Sequence, residues 1–264
     1  PDLVTSGLPT VGVRMPNHPV ALELIRQAGV PLAAPSANPF GALSPTRAEH
    51  VRRQLGGQVD AVLDGGACAV GVESTIVSLV DERPVLLRPG GIPADALEHV
   101  VGRLDRPRSS PAKPAAPGQL PSHYAPQTPL FAAAQVQAPA GDRLGLLTFG
   151  PPADDRDFAA VEVLSPAGDL REAAANLFAA LHRLDAMQLD AILAVPPPEE
   201  GLGVAINDRL RRAAAASAEL REQGDTPHRG TRPDRIADSP GTTPAHGKPE
   251  TVPRNNAKQK ERDT

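Results

Sequence analysis

Apolar and polar positions in the first hundred residues change between short extended runs and helix-spaced stretches. Residues 9–14 (Pro9-Thr10-Val11-Gly12-Val13-Arg14) read as a strand. Asn17 or His18 then caps a helix with Pro19 in its first turn, and Ala21, Leu22, Leu24, Ile25 and Ala28 follow at helical spacing up to Gly29. Residues 31–34 form a short strand running into the turn Ser36-Ala37-Asn38. Thr46 and Glu49 have capping-box spacing, which predicts a helix over 46–55 stopped by Gly56-Gly57. Residues 59–63 read as a buried strand ending at Asp64-Gly65-Gly66. Residues 75–80 and 85–87 read as a hairpin, because only a few polar residues separate them, and a helix follows over 94–101.

The pattern then changes. Residues 103–129 carry seven prolines, from Pro107 to Pro129, and read as an extended linker. A second α/β block follows, with strands over 144–149, 161–164 and 189–195. Leu170, Ala173, Ala174, Leu177, Leu181 and Leu184 give an amphipathic helix over 169–184, and 204–220 is an Ala- and Arg-rich helix. Strand–helix alternation predicts a small parallel sheet. The expected fold class is α/β: a twisted open sheet in residues 1–102, the linker in 103–129, and a small Rossmann-like parallel domain in 130–223. From 224 to 264 the chain holds almost no large apolar residue and reads as a disordered polar tail.

Composition narrows the function. Aromatics are 2% of the 264 residues, with no Trp and one Tyr, which argues against base stacking as the main grip on single-stranded nucleic acid. A net charge of −4 gives no global basic field, so strong direct nucleic-acid binding is not expected. A lone Cys68 excludes a disulfide framework and cysteine-rich zinc sites, and no metal-ligand set is expected. No apolar run approaches membrane-spanning length, and a cytoplasmic location fits. The chain starts at Pro1 and runs quickly into a strand-like segment, which reads as a fragment beginning inside a domain.

Three glycine- and polar-rich stretches end strand-like runs: Pro35-Ser36-Ala37-Asn38 with Gly41 and Ser44-Pro45-Thr46, Gly71-Val72-Glu73-Ser74-Thr75, and Leu87-Arg88-Pro89-Gly90-Gly91. Ligands of α/β sheets bind outside the carboxyl ends of the strands. Hydroxyls, an amide and a guanidinium at such edges suit an anionic, phosphate-bearing ligand. Ser36 and Asn38 suit an anion site or an ordinary Asx or Ser turn. Ser74 and Thr75 suit a site or strand-end punctuation. Glu73 is open between a base, a carboxylate paired with an arginine and a solvated charge. Arg88 before Pro89-Gly90-Gly91 suits bidentate recognition of phosphate or carboxylate, and Arg14 is a second candidate. His123 and Tyr124 lie in the linker, either inserted over a site or anchoring the second domain. No Walker loop, nucleophile elbow or His-x-x-x-His pair is present.

In order and spacing these stretches resemble the L-threonylcarbamoyladenylate synthases, YrdC-like enzymes in their long two-domain form, from about Leu8 to about Ala214. The stretch Asn207-Asp208-Arg209-Leu210 looks like the family's closing segment. The resemblance implies a nucleotidyltransferase that joins L-threonine, bicarbonate and ATP into threonylcarbamoyl-AMP and pyrophosphate. The product feeds a downstream tRNA threonylcarbamoyl transferase complex that modifies adenosine at N6. It implies that Ser36, Asn38, Arg88, His123 and Tyr124 contact ATP, that Arg14 and Ser74 contact threonine, and that Mg²⁺ accompanies ATP. No catalytic residue is assigned.

The family's Lys-x-Arg motif belongs to the N-terminal half of the catalytic domain, which is not present before Pro1, and Phe40 stands where many relatives carry a small polar residue. The expectation is therefore a synthase whose present polypeptide is inactive alone. Two alternatives are a non-catalytic nucleotide-binding module and the carbamoyltransferase domain of a hydrogenase-maturation protein; the second carries zinc-binding cysteine pairs, which Cys68 alone does not supply.

Overall fold

Two sheets form among the residues that the computed structural model describes, which are 2–107, 116–132, 143–152 and 157–222. These residues belong to one compact unit, Pro1–Thr226. The expected tail over 224–264 and the linker stretch 108–115 lie outside the described residues.

The larger sheet has the order β3 (Leu130–Ala132), β6 (Ala191–Val195), β4 (Leu144–Thr148), β5 (Ala160–Val163), and every neighbouring pair is parallel. Parallel strands need long connections, and α5 (Leu170–Asp185) lies on the one from β5 to β6, which stand on either side of β4 in the sheet. Asp169 caps α5 by accepting from the Glu172 N–H at 2.8 Å. Along β6 the side chains alternate with the two-residue period of a strand. Ile192 and Ala194 join Leu177, Phe178, Leu181 and Leu184 of α5 and Ile206 and Leu210 of α6 (Gly203–Glu222), while Ala191 and Leu193 join Phe131 and Leu146. The expected α/β class with a parallel sheet is thus the observed one. The sequence pattern missed β3, a three-residue strand beside the linker.

In the first half, β1 (Ile76–Ser78) and β2 (Val85–Arg88) form the expected antiparallel hairpin, with Val77 opposite Leu86 and a register irregularity between Ile76 and Val77. The hairpin brings the residues entering β1 and those leaving β2 to the same end. That is why Ser74 and Arg88 become neighbours. Helices α1 (Asp2–Thr5), α2 (Pro19–Ala28), α3 (Ala48–Leu55) and α4 (Ala94–Val101) complete this half. Pro19 opens α2 and Gly29 closes it at φ 66°, as its spacing predicts.

Two expectations fail. Residues 9–14, 31–34 and 59–63 are not strands: none is hydrogen-bonded into a sheet among the described residues. A strand exists only through its partner's backbone groups, and these runs have none there. Val11, Val13, Met15, Leu32 and Leu63 are exposed, and α2 buries no residue. The capping box is also absent. Helix α3 is capped at Arg47 without a side-chain bond. The Thr46 N–H instead donates to His50 Nδ1 at 3.1 Å, so a histidine one turn on takes the role expected of Glu49.

That histidine helps to join the two halves. His50 and His182 of α5 are both buried, with ring centres 3.9 Å apart. His182 Nε2 donates to the Ser44 carbonyl at 3.1 Å, and its Nδ1 accepts from Arg53 at 3.2 Å. Both rings are therefore held neutral, since each has a nitrogen engaged as an acceptor. Burial, then His182, Arg53, Arg47 and Arg183, lowers the His50 pKa to about 4 from 6.5. Burial and Arg53 lower His182 as well, against Ser44 and Asp185. A folded pKa below the unfolded one means that the unfolded chain binds protons first. Stability from this pair is full above about pH 6.5 and falls as the pH drops towards 4. A thermal melt series over that window shows the loss, and His50→Gln/His182→Gln flattens the slope.

Candidate functional site

Ser74 stands between two arginines. Its carbonyl accepts from Arg88 Nη2 at 2.7 Å, and its hydroxyl oxygen accepts from Arg14 Nη1 at 3.3 Å. The structure thus brings together three of the sequence-predicted residues, Arg14, Ser74 and Arg88. The surrounding loop is fixed by backbone geometry. The Gly91 N–H donates to the Glu73 carbonyl at 2.9 Å, and Thr75 Oγ1 both donates to the Ile92 carbonyl and accepts from its N–H. A Cβ on Gly90 would overlap the backbone of residues 73–75, so the turn after Arg88 approaches the loop as only glycine allows.

Arg88 is 7% exposed, and burial lowers its pKa. Its Nη1 donates to the Pro117 carbonyl at 2.8 Å. Its Nε is buried without a partner among the described residues. Arg88 therefore clasps the linker over the site while keeping one donor in reserve.

The linker is held elsewhere too. The Ala125 N–H donates to the Gly41 carbonyl at 2.8 Å, which docks it on the turn after Asn38. Arg212 donates to the Leu120 carbonyl and accepts the His123 N–H through its own carbonyl. His123 packs edge-on against Phe40, with ring centres 5.8 Å apart, and lies 4.2 Å from the Tyr124 ring. Burial lowers the His123 pKa, and its Nδ1 is a buried acceptor or donor without a partner. Tyr124 is 2% exposed and adopts φ 63°, a left-handed backbone that a non-glycine residue rarely takes. Its ring reaches Phe178 of α5 at 5.6 Å. Tyr124 lies against Arg209 and packs on Phe178 of α5, so it anchors the linker on the second half.

Asn38 commits both amide hydrogens to its own turn, donating to Pro39 and Ala42 carbonyls at 3.1 and 3.0 Å. Its Oδ1, an acceptor, is buried without a partner among the described residues. Ser36 sits exposed at the head of the turn.

Glu73 settles among its three readings as a paired carboxylate. Ser44 Oγ donates to its Oε1 at 2.6 Å and Arg209 Nε to its Oε2 at 2.8 Å. Burial pushes this carboxyl up, but Arg209 and the two hydrogen bonds more than offset that and hold it below its ordinary value. No sequence reading assigned a role to Arg209 or to the Ser44 hydroxyl. Their partner is 136 residues from Arg209, and no local spacing signals that pairing.

A groove of about 380 Å³ borders this region, with Thr75, Pro89 and Gly90 at one side. Its ionisable lining is Asp95, Glu98, Glu199 and Glu200 against Arg106. That excess of carboxylates repels a polyphosphate, so the anion reading stays with Arg14 and Arg88. Among the described residues no group of three or more His, Cys, Asp or Glu is placed to hold a metal ion, and no helix is long and apolar enough to cross a membrane.

The fold is that of a two-part α/β protein whose linker packs on a cluster of arginines, Arg88, Arg209 and Arg212. Residues 1–90 match the Sua5–YciO–YrdC family described as "Telomere recombination", and residues 92–215 match "Threonylcarbamoyl-AMP synthase, C-terminal domain". The chain is 42% identical to the threonylcarbamoyl-AMP synthase of Bacillus subtilis over 224 residues, covering 80% of this chain and 65% of the relative. It is 38% identical to that of Pyrococcus abyssi, covering 81% and 66%. A crystal structure of P. abyssi Sua5 complexed with L-threonine superposes with a TM-score of 0.74 at 36% identity, over 82% of this chain and 67% of that one. The chain belongs to the Sua5-type threonylcarbamoyl-AMP synthase family. It spans just under two thirds of the length of the B. subtilis and P. abyssi relatives.

Proposed function

We propose that the protein is a threonylcarbamoyl-AMP synthase, joining L-threonine, bicarbonate and ATP with release of pyrophosphate and water. The observation that carries the reading is Ser74 set between Arg14 and Arg88 beneath a clasped linker, in a chain of this family. The complex of P. abyssi Sua5 with L-threonine supports threonine as the amino-acid substrate.

The chemistry suits the site. Threonine's amine takes up bicarbonate to give a carbamate, whose oxygen attacks the α-phosphorus and expels pyrophosphate. Every species is an anion, and the protein's task is to position and neutralise them rather than to supply a covalent nucleophile. Arg14 and the Ser74 hydroxyl hold the threonine carboxylate and hydroxyl. Arg88 gives its donors to the phosphates when the linker releases them. The buried Asn38 Oδ1 accepts from a nucleotide hydroxyl or amino group, and Ser36 donates at the mouth of the turn. His123 and Tyr124 close over the reactants and keep water from the labile carbamate.

The described residues provide no carboxylate cage for Mg²⁺. Magnesium commonly enters such sites on the nucleotide's own phosphates, and no step here is assigned to it. The product supplies a tRNA threonylcarbamoyl transferase, and the lone Cys68 fits the reducing cytoplasm where that tRNA modification takes place. Threonine-dependent pyrophosphate release tests the proposal.

A further inference from the structure

Arg209 is a side chain of the second half whose partners, Glu73 and Pro89, lie in the first. It leaves α6, is 1% exposed, and is the largest of the fully buried side chains among the described residues. Its Nε donates to Glu73 at 2.8 Å, and its Nη1 donates to the Pro89 carbonyl at 2.9 Å and to Asp208 at 2.7 Å. Its guanidinium carbon lies 5.3 Å from the centre of the Tyr124 ring. Glu73 precedes Ser74, Pro89 follows Arg88, and Tyr124 is the linker's clasp. One side chain thus touches three of the segments that carry candidate ligand contacts, those of Ser74, Arg88 and Tyr124.

Packing alone does not call for this arrangement. Apolar residues of similar volume often replace a buried ion pair with no loss of stability. Two donors of the cluster, Arg209 Nη2 and Arg88 Nε, are also buried without partners among the described residues. Buried polar atoms left unpaired are rare and call for a specific explanation. An arginine serves here because its planar fork can orient several acceptors at once.

We propose that Arg209 is a positioning residue of the ligand site, by which the second domain fixes the Glu73–Ser74 loop, the turn after Arg88 and the Tyr124 ring relative to one another. The inference rests on the synthase reading for its kinetic consequence and on the contacts alone for its structural one. The groups facing Glu73 are Arg209 and Asp208 from α6, Arg88 from β2, His123 and Tyr124 from the linker, and the Ser44 hydroxyl. Of these only Arg209 is a cation in direct contact with the carboxylate. Without it Glu73 is a buried anion that takes up a proton as the pH falls toward neutrality.

The chain's single Tyr and lack of Trp make tyrosine fluorescence a report on Tyr124 alone. In the 264-residue chain, the Arg209→Gln variant is expected to open this ring to acrylamide quenching, and Arg209→Lys to do so in part. Wild-type quenching in a folded Arg209→Gln protein overturns the proposal, whatever the activity. Kinetics are read on the longest natural polypeptide containing these residues. There, Arg209→Gln is expected to lower kcat/KM for threonine-dependent pyrophosphate release about 100-fold. It also adds an acid limb that Glu73→Gln/Arg209→Gln removes. The double variant keeps a neutral hydrogen-bonded pair and remains testable if the single variant fails to fold. A wild-type protein with no threonine-dependent turnover defeats the synthase reading but leaves the quenching result to decide the role of Arg209. Wild-type kcat and KM with no new pH limb in Arg209→Gln, in an active enzyme, contradict it.

Discussion

Replacing Arg88 with alanine lowers ATP affinity by about 100-fold and unfastens the linker in the same step. Each charge-assisted hydrogen bond contributes roughly 1.5–3 kcal/mol, and about 1.4 kcal/mol is tenfold in affinity. Arg88 makes such bonds to Ser74 and Pro117, and its Nε has no partner among the described residues. Its loss therefore removes a ligand contact and leaves the Pro117 and Ser74 carbonyls unpaired. Calorimetric ATP titration reads the first effect and limited proteolysis within residues 116–126 the second. ATP affinity equal to wild type would remove Arg88 from the phosphate site. An unchanged cleavage pattern would show that the linker is held by Arg212 and residue 125 alone.

The second large effect comes from a position with no side chain. Gly71 has φ 75°, and a Cβ there would overlap the Ala174 carbonyl and the Ala175 Cα of α5. Those are backbone atoms in the middle of a packed helix, so they cannot swing aside. Gly71→Ala is expected to destabilise the protein by about 3 kcal/mol, from the strained backbone and the overpacked junction together. Because residues 71–75 lead into Glu73 and Ser74, ligand affinity falls with it. Urea unfolding measures the stability change. A wild-type midpoint would mean that α5 does not press on this loop in solution.

What the sequence made legible follows from the range of the signals. The hairpin, α4 and the strand–helix order of the second domain depend on local periodicity and short turns, and they appear where that pattern puts them. The meeting of Ser74 with Arg88 also follows, since an antiparallel hairpin returns its second strand to the start of its first. Three apolar runs, 9–14, 31–34 and 59–63, have the composition of strands but no hydrogen-bonding neighbour among the described residues. Composition speaks for burial, while a ladder needs a second backbone. The Thr46–Glu49 spacing was overridden by His50, which binds the Thr46 N–H from within the helix and is itself fixed by packing on His182.

The site was legible by residue and less so by role. Arg88 reads as a free anion ligand in sequence, but the folded chain engages both its terminal nitrogens on backbone carbonyls. Asn38 reads as a donor and presents an acceptor, because two nearby carbonyls take its hydrogens. Arg209 lay in a stretch, Asn207-Asp208-Arg209-Leu210, that resembles the family's closing segment, but nothing in the sequence assigned it a role. Its significance arises only when α6 delivers it to Glu73, a long-range event that no single-chain spacing encodes.

Release of pyrophosphate from ATP, measured with and without L-threonine and bicarbonate, tests the central claim most directly. It is run on the longest natural polypeptide that contains these 264 residues, with the 264-residue chain in parallel. The account predicts release that requires both co-substrates and is lost in Arg88→Ala. Release indifferent to threonine, or ATP binding with no pyrophosphate formed by that polypeptide, would contradict it and leave a nucleotide-binding module in its place.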